Sequence, residues 1–186
     1  MLSRNALYIN VVGALLLVSS GVSPLAVAQT VPAKLKLNAE LVLTPEFCSS
    51  QFKRGNGWST PKERYPVGAK LCPALEAELP ELFLSVKKSE QVPAPNASNA
   101  DVILVPKIQD ISATMKELVV EVEWTALDRA GKTLWVQAIQ ASGTGKVRSL
   151  GTGKLQKKHN EAAVDEIIAK SKEAIGSSPE LLKLAQ

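Results

Sequence analysis

The 186-residue chain is short of the groups on which most chemistry depends. It has one histidine, His159, and two cysteines, Cys48 and Cys72. Two thiols with no histidine nearby fall short of the four ligands of a structural metal site, and a lone histidine cannot supply one. His159 follows Lys157 and Lys158 at what reads as a helix start. A solvated or capping role is expected there, since no partner is nominated for a catalytic dyad. Beyond the amino terminus no apolar run approaches the roughly 20 residues of a spanning helix. Charge of one sign is also scarce. A net charge of +4 is a mild bias, far from the footprint of a nucleic-acid-binding protein. No metal, cofactor, nucleic-acid partner or transmembrane segment in the mature chain is therefore expected.

Two motifs invite chemistry and fail on spacing or placement. Gly143-Thr144-Gly145-Lys146 recurs as Gly151-Thr152-Gly153-Lys154. A phosphate-binding loop needs a glycine where Arg148 stands and a serine or threonine where Leu155 stands. A flexible basic loop over residues 143–158 is the expectation instead. Glu121 and Glu123 lie two apart, on one face of a strand, as paired carboxylates for glycoside hydrolysis would. That face reads as the solvent side, so no catalytic residue is assigned and the chain is expected not to be an enzyme.

What is present begins with export. Arg4, the apolar run Val11 to Val18 and the small-residue Ala26-Val27-Ala28 have the layout of a secretory signal peptide cleaved after Ala28. Gln29 rather than cysteine follows, so the new terminus carries no lipid, and a periplasmic or secreted location is expected. Residues 29–186 suit one α+β domain with its core at about 34–176. Export puts Cys48 and Cys72 where thiols oxidise, which predicts a disulfide. In the chain-entropy model such a bridge stabilises the fold by roughly 3 kcal/mol.

Along that domain, Leu35, Leu37, Ala39, Leu41 and Leu43 alternate with polar residues, which predicts a half-buried strand ended by Pro45. Residues 44–68 read as a long polar loop. Leu71, Leu75, Leu79 and Leu82 predict a helix over 69–83, tolerant of Pro73 but kinked or ended by Pro80. A short strand at 83–87, turn chemistry at 93–99 and a strand at 101–106 follow. Leu118, Val120, Val122, Trp124 and Ala126 share one strand face, and Asp128 to Gly131 form a turn. On the returning strand Thr133, Trp135, Ile139 and Ala141 share one face, with Trp124 expected opposite Trp135 and Val120 opposite Ile139. Asn160 is the expected cap of a last helix whose inward stripe is Val164, Ile167, Ile168, Ser171 and Ile175, ended by Gly176 and Pro179. A further helical turn can follow. The order implies an α+β two-layer sandwich, a mainly antiparallel sheet with helices on one face.

Lys53, Arg54, Trp58, Lys62 and Arg64, with Lys70 nearby, combine charge with an aromatic ring in the loop tethered by the disulfide. They form the candidate partner-binding site, suited to an anionic envelope polymer or another envelope protein. The alternative is a solvated loop whose Trp58 packs under the disulfide.

The arc from Val67-Gly68 through Leu71, Leu75, Leu79 and Phe83, then Ala100 to Leu104, then Val122-Glu123-Trp124 through Asp128, Gly131, Leu134-Trp135 and Gly143 resembles a bacterial envelope pattern. It is similar to that of small periplasmic proteins and lipoproteins with the fold of the TolB amino-terminal domain and of the lipopolysaccharide-assembly and YajG-type lipoproteins. The resemblance covers residues 34–176. It implies a helix and strand followed by a meander and a final helix, and a binding or scaffolding role. The chain departs from the lipoprotein members in lacking a lipobox cysteine and in carrying Cys48 and Cys72. A non-enzymatic accessory protein that binds another envelope component, through its sheet edge or the basic disulfide-tethered loop, is thus expected, with a small-ligand or lipid carrier as the alternative.

Overall fold

A computed structural model of the chain describes residues 34–54, 63–114, 117–144 and 152–186. The signal segment and Ala28 lie outside these residues.

Strand β1 (Leu35–Val42) forms where alternation predicts it, burying Leu35, Leu37, Ala39 and Leu41. Its other face is covered at one end only: Val42 is buried, and so is Glu40, which accepts a hydrogen bond from Ser98 Oγ at 2.5 Å, whereas Lys36 and Asn38 are exposed. With Ser98 against Glu40, that end of β1 lies deeper than period-two patterning suggests.

The expected polar loop at 44–68 contains ordered elements. Thr44 Oγ1 accepts the Phe47 N–H at 3.2 Å and caps α1 (Pro45–Ser49). Strands β2 (Phe52–Arg54) and β3 (Glu63–Tyr65) then pair as a separate antiparallel ribbon. These pieces are too short to show a period. Helix α2 (Val67–Glu78) starts two residues before the expected position and holds Pro73 in its interior. Pro80 follows its end in a 3-10 turn (Leu79–Glu81), in keeping with its expected role. Cys48 in α1 and Cys72 in α2 form the disulfide, with Cα atoms 5.6 Å apart.

Strands β4 (Phe83–Ser89), β5 (Val102–Ala113), β6 (Glu117–Leu127) and β7 (Thr133–Thr144) complete a five-stranded sheet of order β4-β1-β5-β6-β7. The sheet is mixed, not mainly antiparallel: β1 runs parallel to β4 and β5, whereas β5, β6 and β7 form an antiparallel meander. The chain between β1 and β4 includes α2, a connection long enough to return β4 in the same direction. Alternation reports faces, not directions, so the parallel half was hidden. Strand β5 also runs past the expected 101–106, because a register shift between Ile108 and Asp110 breaks the alternation.

In the β6–β7 hairpin Trp124 lies opposite Gln137, not Trp135, and Ile139 lies opposite Val122, not Val120. The Asp128 N–H reaches the Lys132 carbonyl at 2.9 Å, and Asp128 Oδ1 accepts the Lys132 N–H at 2.9 Å. Leu127 therefore pairs with Thr133, and the register then shifts before Ala126 pairs with Trp135. From Trp135 onward the slip is two residues, an even number that keeps Trp135, Ile139 and Ala141 on the expected face, whereas Thr133, on the far side of the shift, pairs with Leu127 and is exposed rather than inward.

Helix α3 (Thr152–Ser177) begins about two turns before Asn160. Asn160 is consequently a buried interior residue, not a cap, and His159 is fully buried rather than solvated. Much of the loop expected at 143–158 is β7 and α3; only 145–151 lie outside the described residues. Glycine and lysine concealed the helix start because neither contributes to an apolar stripe. The stripe itself is as expected, with Val164, Ile167, Ile168, Ser171 and Ile175 all buried. Ser178 then caps α4 (Pro179–Leu184). The inward residues of β1, β6, α2 and α3 share one apolar cluster, including fully buried Trp124, Leu71, Leu75 and Ile167.

Candidate functional site

The β2–β3 ribbon is fastened at its base. The Gly68 N–H donates to the Ser50 carbonyl at 2.9 Å, and a Cβ on Gly68 would run into the Phe47 carbonyl oxygen. Only glycine lets α2 start this close to α1, beside the disulfide. Phe52 and Tyr65 face each other across the ribbon with ring centroids 6.0 Å apart, and Tyr65 is buried. Their packing turns the next pair outward: exposed Lys53 lies directly opposite exposed Arg64. Like charges at facing positions destabilise a strand pair. Among the described residues no carboxylate forms an ion pair with either cation.

Of the expected site, the structure therefore brings Lys53 and Arg64 together. Arg54 ends β2, and its backbone pairs with Glu63. Trp58 and Lys62 lie outside the described residues, and so does the alternative that packs Trp58 under the disulfide. Lys70 is exposed on α2. The facing cations escaped sequence reasoning, although Phe52 and Tyr65 flanking a basic stretch were a signal for a short ribbon.

A polar network joins one end of the sheet to the adjoining turns. Asp101 Oδ2 accepts the Asn38 N–H at 2.9 Å, Arg129 Nη2 reaches Asp101 Oδ1 at 2.5 Å, and Arg129 Nε donates to the Ala100 carbonyl at 2.9 Å. The Asn38 N–H, then Arg129, hold the Asp101 carboxyl below its ordinary range against the opposing effect of burial. On the helices, Lys172 of α3 meets Glu78 at 2.7 Å and Glu81 at 2.5 Å, and Glu78 followed by Glu81 raises its pKa. Both clusters tie neighbouring elements of the fold together.

Glu121 and Glu123 are half-buried on the sheet face turned away from Trp124, with Lys107 paired across from Glu123. Among the described residues neither ring nitrogen of His159 finds a hydrogen-bond partner, and neither does Asn160 Oδ1 beside it. Gly145, Lys146 and Gly151 of the glycine-lysine echo lie outside the described residues, whereas Thr152 and Gly153 open α3. Among the described residues no three His, Cys, Asp or Glu side chains converge on a possible metal position, and no helix is long and apolar enough to cross a membrane. Two surface grooves stand out. One of about 350 Å³ lies between β7 and α3, and one of about 500 Å³ is rimmed by Lys36, Asp101, Asp128 and Arg129.

No protein-family model matches the chain, and no curated protein does. Several solved structures are similar in fold. Protein XCC0632 from Xanthomonas campestris superposes with a TM-score of 0.50 at 8% identity, covering 79% of this chain and 86% of that one. A minor lipoprotein from Acinetobacter baumannii gives 0.38 at 12% identity, over 75% and 92% of the two chains. Lipoprotein GNA1162 from Neisseria meningitidis gives 0.37 at 11% identity, over 76% and 99%. At such identities the likeness is one of fold alone.

Proposed function

We propose that this chain is a non-enzymatic accessory protein of a bacterial envelope, exported by cleavage after Ala28, that binds an anionic envelope component through the β2–β3 ribbon. One observation carries the reading: Lys53 and Arg64 face each other, exposed and without a carboxylate partner among the described residues, on a ribbon fixed by a disulfide. Facing cations cost stability unless an anion lies between them, so their placement favours a negatively charged partner. The disulfide suits an oxidising compartment. The fold likeness to a bacterial protein supports the envelope part of the reading, and the TolB-like and YajG-like resemblance of the sequence, with helices in a single layer over the sheet, is part of the proposal. The carrier reading has less support, because both grooves lie open at the surface and mix charged residues with the apolar ones that line them.

Photo-crosslinking in the exporting host, from positions 53 and 64, tests the proposal. A defined adduct is expected from both, lost when Lys53→Glu and Arg64→Glu are combined and weakened by salt. Absence of an adduct from either position, or an adduct indifferent to the charge reversal, overturns it.

A further inference from the structure

Both outer strands of the five-stranded sheet have a side on which no described strand pairs, and the two are protected differently. Strand β4 carries Lys87 and Lys88, the charged guard that natural edge strands commonly use against pairing. Strand β7 has no charged residue and no proline from Thr133 to Thr144, and its Val136 is 52% exposed.

Helix α3 guards one half of β7. Glu166 Oε2 accepts the Ser142 N–H at 3.0 Å, and Lys170 Nζ donates to the Gln140 carbonyl at 2.9 Å. Glu166 and Lys170 also pair with each other at 2.7 Å. Lys170 first, then the Ser142 N–H, hold the Glu166 carboxyl below its ordinary range, which keeps the guard charged. Both contacts use peptide groups that point away from β6. In an antiparallel ladder such groups alternate, so Val136 and Ala138 turn their N–H and C=O outward as well. No described side chain or strand bonds these four groups.

We propose that this unguarded stretch is a self-association site: β7 pairs with β7 of a second copy, antiparallel, about a two-fold axis at Gln137. Val136 of each copy then exchanges two backbone hydrogen bonds with Ala138 of the other, and Gln137 meets its own counterpart. The stretch is its own complement because the α3 guard blocks sliding past Gln140, and the irregularity before Trp135 blocks sliding the other way. Pairing residues of equal parity keeps the α3 face of both copies on the same side of the joined sheet. The groove beside Gln137 holds one cation, Lys170, and one anion, Glu173. A foreign peptide would find the same backbone groups, but only a polar groove in which to seat its side chains, so a second copy fits better.

Sedimentation of the purified protein over a concentration series tests the proposal, with Val136→Lys on β7 and Leu84→Lys on β4 as paired variants. Expected is a reversible dimer, weakened roughly tenfold or more by Val136→Lys and unaltered by Leu84→Lys. Gln137→Cys is expected to crosslink two copies through a disulfide, since facing residues at a non-hydrogen-bonded position bring their Cβ atoms to about 4.5–5.5 Å. A monomer at all concentrations, a dimer indifferent to Val136→Lys, or no crosslink through Gln137→Cys overturns it. Loss of the β2–β3 partner with the dimer intact refutes only the proposed function, and a monomer that still captures that partner refutes only the pairing.

Discussion

The two halves of α3 dock on the same sheet by different means. In the carboxy-terminal half, Trp124 of β6 is fully buried and donates its indole N–H to Ser171 Oγ at 2.9 Å, while Glu166 and Lys170 bond the β7 backbone. In the amino-terminal half, the helix meets β7 at Gly143, where a Cβ would strike the His159 carbonyl oxygen and crowd Ala163. His159 is fully buried there, and among the described residues neither its ring nitrogens nor the side-chain oxygen of adjacent Asn160 has a partner. One half is positioned by satisfied polar contacts that specify a register, the other by bare closeness of approach. A buried polar group without a partner bears the full cost of its desolvation, so the same residue classes act with opposite sign at the two ends.

That contrast can be broken by substitution. Trp124→Ala has the largest expected effect, since it removes a fully buried ring from the centre of the cluster and leaves a cavity. A loss of about 3–5 kcal/mol in denaturant unfolding is expected. Ser171→Ala comes next: stranding the indole N–H should lower stability by about 1–3 kcal/mol. Adding Trp124→Phe to Ser171→Ala removes the stranded donor and recovers part of that loss, as a double-mutant cycle would read out. The smallest change, and of opposite sign, is His159→Leu. It removes two unbonded nitrogens at similar volume, and the melting temperature should hold or rise. A clear fall would show that His159 is satisfied by a group outside the described residues and would erase the contrast.

How far the fold could be read in advance depended on the range of the governing interaction. The inward stripes of β1, β6 and α3 were legible because Leu35 to Leu41, Leu118 to Ala126 and Val164 to Ile175 repeat at the strand or helix period. The disulfide between Cys48 and Cys72 was legible from cysteine number and the export expected from the sequence. The direction of β4 was not, because nothing in Phe83 to Ser89 encodes which way its partner runs. The start of α3 was masked by glycine and lysine, and the hairpin slip by a single register shift next to Leu127. Of the candidate site, the basic character of 53–64 was plain, whereas the confrontation of Lys53 with Arg64 emerged only once Phe52 and Tyr65 fixed the ribbon's register. The α3 guard on β7 carried a weak signal, an acid and a base four residues apart, which usually marks nothing beyond a helix surface pair.

The sequence by itself determined which residues are apolar at which period, and hence which face of each strand and helix is buried, because burial follows from side-chain chemistry and backbone repeat. It also determined the pairing of the only two cysteines. Tertiary structure alone decided that β1 sits between two parallel neighbours, that two cations share a rung of the β2–β3 ribbon, and that one edge strand is guarded over half its length. Those outcomes depend on which distant segments meet, and contacts between segments are selected by the packing of the whole chain rather than by any local stretch of it.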